Sequence, residues 1–200
     1  MIAIRRPRED DAEGIAELLN ALARSDAGEA VVTPDEITHW LRIPGVEFLV
    51  AEGPGRELAA YADVAERAAR KRYWIDLREH PDRRQLGGAH ALLAAVEERV
   101  REKAADGALL RGTFDASDSS LRAVYEEAGF RLVRHGLEMR IDLGIDVPDP
   151  DWPEGITVRA FVQGEDDERV HEAHMAAFED AWEHAYEPFP QWHVEHLGRP

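Results

Sequence analysis

Across residues 73–100 the apolar pattern changes period, and the change falls on a turn that holds a proline, two arginines and two adjacent glycines. Tyr73-Trp74-Ile75-Asp76-Leu77 reads as a strand, whereas from Ala89 onward Leu92, Leu93, Val96 and Val100 recur at helical spacing. Between them runs Pro81-Asp82-Arg83-Arg84-Gln85-Leu86-Gly87-Gly88. A chain that passes from strand to long helix through so short a turn leaves the free N–H groups and the positive dipole end of the helix facing the loop. That is phosphate-binding geometry, and Gly87 and Gly88 let the backbone approach a diphosphate with no Cβ in the way.

A second signal lies downstream. Leu121-Arg122-Ala123-Val124-Tyr125-Glu126-Glu127-Ala128-Gly129-Phe130 reads as a short helix stopped by Gly129 at its C′ position, with a strand following at Arg131-Leu132-Val133. Taken together the two segments resemble the GCN5-related N-acetyltransferases (GNAT). Arg84-x-x-Gly87-x-Ala89 fits that family's acyl-CoA loop pattern Q/R-x-x-G-x-G/A, and the segment around Tyr125 resembles its LYEKxGF element. The resemblance covers about residues 1–143.

The element order agrees. The pattern predicts strand 2–6, helix 10–24, helix 34–41, strands 46–52, 57–65 and 72–79, helix 86–104, strand 108–114, helix 118–128, and strands 130–134 and 136–142. This is α+β order with one main sheet. Ile15, Leu18, Leu19 and Leu22 give the first helix an apolar face. Thr33 reads as the N-cap of the second, with Pro34 at its first position and Glu36 at its third. The resemblance implies a mixed, mostly antiparallel central sheet flanked by helices, with two central strands splayed apart.

What the resemblance implies about chemistry falls on particular residues. The acyl donor is acetyl-CoA, with no metal. Leu77 and Glu79 would offer backbone groups to the cofactor's pantetheine arm, and Arg84, Gln85, Leu86, Gly87, Gly88 and Ala89 would wrap the diphosphate through main-chain N–H groups. Gln85 stands where a glycine is common, and Asp118 falls near a cofactor-contacting asparagine of the family. Tyr125 matches the tyrosine whose hydroxyl points at the thioester sulfur, where a phenol of ordinary pKa near ~10 can protonate the departing thiolate. Glu79 replaces a commonly apolar residue. It is therefore a candidate base for an ammonium substrate, against the plainer reading of a charged side chain on the solvent side of a strand end. Asp76 and Glu66 are weaker candidates for the same role.

Composition limits the partners. A net charge of −17 opposes attraction to nucleic acid or anionic lipid, so neither is an expected partner; Arg83, Arg84 and Arg122 would offset the repulsion locally for an anionic cofactor. The chain has no run of roughly 18 apolar residues and opens directly on a strand-like alternation, which reads as a soluble cytoplasmic protein. The absence of cysteine excludes disulfides, thiolate metal sites and a cysteine nucleophile.

Residues 145–200 carry 14 Asp and Glu against 3 Arg, a balance of −11. Residues 144–155, with three prolines, read as a linker that ends a first domain at 143. Beyond it Ile156-Thr157-Val158-Arg159 echoes Ile2-Ala3-Ile4-Arg5, and Glu165-Asp166-Asp167 echoes Glu9-Asp10-Asp11 after a two-residue insertion. Residues 156–200 are then an incomplete second repeat of a strand and two helices, and the chain resembles tandem-domain members of the family such as mycothiol synthase. Val170, Met175, Phe178 and Trp182 need cover, from the first domain or from a second copy in a homodimer. The pairs His171-x-x-His174 and His193-x-x-His196 read as helix surface rather than as metal ligands.

Two functions follow from the resemblance. One is an N-acetyltransferase moving an acetyl group to a small-molecule primary amine. The alternative is a non-catalytic CoA-binding or structural module of a tandem-domain protein.

Overall fold

The computed structural model describes residues 2–26, 32–68, 70–137, 139, 141, 149–182, 184 and 186–198. Five strands form one sheet in sequence order: β1 (Ala3–Arg5), β2 (Val46–Glu52), β3 (Leu58–Ala68), β4 (Arg72–Glu79) and β5 (Leu109–Thr113). The first four are antiparallel to their neighbours, and β5 joins β4 in parallel. This sheet, open and flanked by helices on both faces, is the expected mixed α+β architecture.

Each face has its own core. Helix α3 (Gly88–Lys103) lays Leu92, Leu93, Val96 and Val100 on Leu49, Ala60, Ala62, Ile75 and Leu77, with Leu121, Val124 and Tyr125 of α4 (Ser119–Glu127) beside them. On the opposite face α1 (Ala12–Asp26) buries Ile15 and Leu18 against Phe48, Val50 and Tyr61, joined by Ile37 of α2 (Pro34–Trp40). The start of α2 is the predicted capping box: Thr33 Oγ1 accepts from Glu36 N, and the Glu36 carboxylate accepts from Thr33 N. A 3-10 turn at Glu9–Asp11 precedes α1, so the α-helix starts two residues later than its acidic residues suggested.

Residues 130–134 and the described part of 136–142 do not form the two strands expected there. Leu132, Val133 and Leu137 are exposed, and among the described residues no strand pairs with the free side of β5. Alternation gives a segment the propensity for a strand, but a strand exists only where a neighbour takes its hydrogen bonds. Of the proline-rich segment 144–155, residues 144–148 lie outside the described residues.

The C-terminal part holds α5 (Asp167–Ala177) and α6 (Phe189–His196), while residues 156–159 form no strand. Its local geometry nevertheless repeats that of the N-terminal part. Arg5 clasps Asp11 at 2.6 and 2.8 Å, and Arg159 clasps Asp166 at 2.6 and 2.5 Å. The same carboxylates accept from Arg8 N and from Val162 N. Asn20 Oδ1 accepts from Val32 N at 2.9 Å, and Met175 Sδ takes the same position toward Glu187 N at 3.4 Å. The equivalent of Asp11 is therefore Asp166 and not Asp167, and the insertion is one residue rather than two. Arg5 also reaches Glu52 of β2 and is 18% exposed, whereas the side chain of Arg159 is 56% exposed.

These helices lie against the first sheet at its far end. Arg67 of β3 meets Glu195 at 3.5 Å, and Trp182 stacks under Arg111 of β5, which also covers Trp74 of β4. Val170 and Phe178 remain exposed.

Candidate active site

Strands β4 and β5 pair from Arg72–Leu109 to Asp76–Thr113 and no further. Beyond that point β4 continues beside β3 alone, to the pair Ala60–Glu79. Leu77, Arg78 and Glu79 thus carry a backbone edge with no β5 partner among the described residues, which opens the sheet between its central strands. An edge of unpaired N–H and C=O groups accepts an extended ligand as it would an added strand.

The turn after β4 sits at the mouth of this opening. Residues Pro81–Leu86 form a 3-10 turn capped by His80, whose Nδ1 accepts from Asp82 N. Gly87, at φ 72°, reverses the chain into α3, a conformation that favours glycine. A Cβ on Gly87 would meet nothing within 4 Å, so the loop surface there is open. Gly88 has a different role: a Cβ would lie 3.0 Å from that of Ala60 and 3.1 Å from that of Ala59, so its lack of a side chain brings the first turn of α3 onto the sheet.

Glu79 is buried, with Oε1 accepting from Ala89 N at 2.9 Å. Burial pushes its carboxyl up from the ordinary range, while the Ala89 bond and the nearby Arg84 pull it back. It does not face solvent as its alternating position suggested. To serve as a base, Glu79 would have to release a buried N–H of α3, so its placement fits holding the first turn of the helix in position. Arg84 bonds Asp118 at 2.9 Å, and Asp118 caps α4 by accepting from Ser120 N and Leu121 N. The turn and the start of α4 are therefore tied together. Arg83 is engaged by Glu17 and by the Leu58 carbonyl, and Arg122 by Glu126.

Tyr125 comes from α4 onto Gly112 of β5, one residue short of the last β4–β5 pair. It is 4% exposed, packed against Phe114 and Phe130, and its hydroxyl is buried with no hydrogen-bond partner among the described residues. Burial first, and then the charge of Asp76, push its phenol well above the ordinary value, so it stays protonated at any working pH. Its ring fits because residue 112 is glycine: a Cβ there would fall 2.4 Å from the hydroxyl oxygen. Gly112 was not singled out from the sequence, although a glycine inside a strand is a known sign of close approach.

The other face of the opening carries a row that sequence reading caught only in part. Tyr61, Asp63, Asp76 and Arg78 lie together, with Asp63 and Asp76 directly opposed across β3 and β4. Asp76 was a minor candidate and Asp63 none. Glu66, the other minor candidate, is exposed and accepts from Arg70 N.

The histidine pairs are internal to the C-terminal helices. His171 bonds the Glu187 carbonyl, Trp192 Nε1 donates to His174 Nδ1, and His193 meets Asp167. Ligand atoms of Glu187, Glu195 and His196 come within 4.8 Å of one another, with the Arg67 guanidinium alongside. Among the described residues no helix is long and apolar enough to cross a membrane.

Two curated proteins named mycothiol acetyltransferase are each 33% identical to this chain: that from Streptomyces bingchenggensis over 84% of the chain, that from Streptomyces coelicolor over 86%. The chain spans about half the length of these relatives, 54% in both cases. A GCN5-related N-acetyltransferase from Sphaerobacter thermophilus superposes on 98% of the chain and 63% of its own, with a TM-score of 0.70 at 27% identity. The yncA protein of Salmonella typhimurium, solved with its cofactor acetyl-CoA, shares the fold at a TM-score of 0.56 and 19% identity, over 66% of this chain and 81% of its own. Residues 14–130 match the sequence profile of the Acetyltransferase (GNAT) family. That match takes in the sheet from β2 to β5, the diglycine turn and Tyr125, so the chain belongs to the GNAT family.

Proposed function

We propose that this chain binds acetyl-CoA in the opening between β4 and β5 and transfers its acetyl group to a primary amine by direct attack on the thioester. The observation that carries this reading is Tyr125, whose buried hydroxyl has no partner among the described residues and lies against Gly112, one residue before the last β4–β5 pair. A buried, unsatisfied phenol is costly unless a ligand uses it, and a thiolate leaving group would. In this assignment the edge at Leu77 and Glu79 takes the pantetheine arm. Arg84, Gln85, Leu86, Gly87, Gly88 and Ala89 take the diphosphate, Asp118 and Glu79 hold the two helix starts in place, and Tyr125 protonates the sulfur. The names of the curated relatives point to an amine acceptor of the mycothiol kind.

A second reading is favoured by the length ratio and by the repeated Arg–Asp clasp. Residues 1–143 would then be the first domain of a tandem protein, residues 144–155 its linker and residues 156–200 the opening of a second domain, with the first domain binding the cofactor without turnover.

Calorimetric titration with acetyl-CoA tests the cofactor site. Binding in the micromolar range, about −8 kcal/mol, is expected for the parent. Gly87→Glu should abolish it by repelling the diphosphate. Gly87→Asn, which tolerates the same backbone conformation, should retain most of it. No binding by the parent overturns the assignment. Turnover on amines, lost in Tyr125→Phe, separates the enzyme from the binding module.

A further inference from the structure

Two carboxylates placed directly opposite each other in adjacent strands repel, and sheets ordinarily avoid the arrangement. Here Asp63 of β3 faces Asp76 of β4, on the row that ends at the last β4–β5 pair, Asp76–Thr113. The two acids are not treated alike. Arg78, on the strand of Asp76, binds that carboxylate through Nε at 3.2 Å and a terminal nitrogen at 2.9 Å. Asp63 has, among the described residues, one bonded partner, the Tyr61 hydroxyl at 3.1 Å. Arg67 acts on it only through its field. The pair is half-buried rather than sealed, and among the described residues Arg78 is the cation bonded to it.

Two further observations connect the pair to a ligand. The buried Tyr125 hydroxyl, without a partner among the described residues, lies over Gly112, next to the Thr113 that pairs with Asp76, and feels the charges of both Asp76 and Asp63. Burial and the charge of Asp76 also raise the Asp63 carboxyl to about 7, against the pull of Tyr61, Arg78 and Arg67. A base is most effective when it titrates near the working pH.

We infer that Asp63 and Asp76 form the ammonium site of the acceptor, with Asp63 taking the proton that frees the amine to attack. The inference rests on the acetyl-transfer reading and adds the acceptor's side of the reaction. The Asp63 carboxylate accepts a proton from R–NH3+, giving R–NH2 and a neutral carboxylic acid. The nitrogen lone pair forms the N–C bond at the thioester carbonyl, and the C–S bond breaks with its electrons going to sulfur. Tyr125 protonates that sulfur and recovers a proton from the new amide nitrogen, and Asp63 releases its proton to water. Asp76, paired with Arg78, remains the anion that orients the ammonium group. The acceptor class is thus an amine that arrives protonated.

The test uses the whole chain labelled with 13C at aspartate, with benzylamine as the probe amine. The Asp63 carboxyl carbon should titrate near pH 7. Benzylamine at roughly millimolar concentration should shift the Asp63 and Asp76 signals in the parent and not in the double variant D63N/D76N. Acetyl transfer to benzylamine at saturating acetyl-CoA should rise with pH through the same inflection. It should fall by roughly 10²-fold or more in D63N with acetyl-CoA affinity unchanged, and its inflection should move down in D76N. Transfer within a few-fold of the parent in D63N, with the inflection in place, overturns the inference. So does a parent whose aspartate signals ignore the amine. If acetyl-CoA itself fails to bind, the acetyl-transfer reading fails, and the amine-induced shifts still decide whether the pair is a cation site.

Discussion

Tyr125 and Gly112 show how one buried side chain depends on the absence of another. The Tyr125 hydroxyl has no partner among the described residues, so removing it relieves an unsatisfied polar group. Tyr125→Phe is therefore expected to leave thermal stability unchanged or slightly raised, while slowing acetyl transfer by about 10²-fold or more; chemical melts and rates on the same preparation check this. A structural role alone would lower stability without that loss of rate. Gly112→Ala should do the opposite. Its Cβ would collide with the ring at 2.4–2.6 Å, forcing Tyr125 to shift at a cost of about 1–3 kcal/mol, measurable by urea denaturation. Tyr125 was legible in sequence because it sits in an ordered motif, a short helix ended by Gly-Phe. Gly112 and Asp63 were not, because their importance comes from what stands opposite them, and strand neighbours lie far apart along the chain.

At the level of elements, the junction of β4 with α3 is held from inside by one carboxylate. Glu79→Ala removes the acceptor of a buried N–H and should destabilise by about 1–3 kcal/mol and weaken acetyl-CoA binding. Glu79→Gln keeps an oxygen for Ala89 N and should retain most of both; a large loss of rate in Glu79→Gln with stability intact would instead restore Glu79 as a base. Thr33→Ala, which breaks the box at the start of α2, should cost about 1 kcal/mol by thermal or chemical melt. Both helix starts were readable from short-range chemistry, proline and a capping box at α2, and a diglycine turn at α3. The strands expected at 130–142 were not borne out in the described residues. Local alternation sets which faces a strand would show, but pairing along β5 depends on a neighbour that sequence alone does not supply.

For the molecule as a whole, the paired and the unpaired acids act in opposite directions on stability. Arg5 holds the Asp11 carboxyl below its ordinary value, and Arg159 does the same for Asp166. These contributions are present above the unfolded values and disappear as the pH falls toward acid. Burial raises Asp63 to about 7 from 3.8, and burial together with Glu195 raises Glu187. The folded state then holds more protons than the unfolded chain over this window, so stability should decline as pH climbs from about 4 to about 7 and level off above. The melting temperature is expected to peak near pH 4, where the gain from the Arg-paired acids ends and the loss at Asp63 begins, and D63N should flatten the decline above it; a profile still rising between pH 5 and pH 8 would contradict this balance. Sequence by itself determined the family, the order of elements from β1 to α4, the diglycine turn and the helix that carries Tyr125, because each is written in contiguous residues through period, capping and turn chemistry. Only the tertiary structure decided that Glu79 turns inward onto α3, that Arg84 meets Asp118, that Gly112 makes room for Tyr125, that Asp166 rather than Asp167 answers Asp11, and that Asp63 confronts Asp76. Each of these is a matter of register and burial, and both are set when distant segments compete for the same hydrogen bonds and the same space.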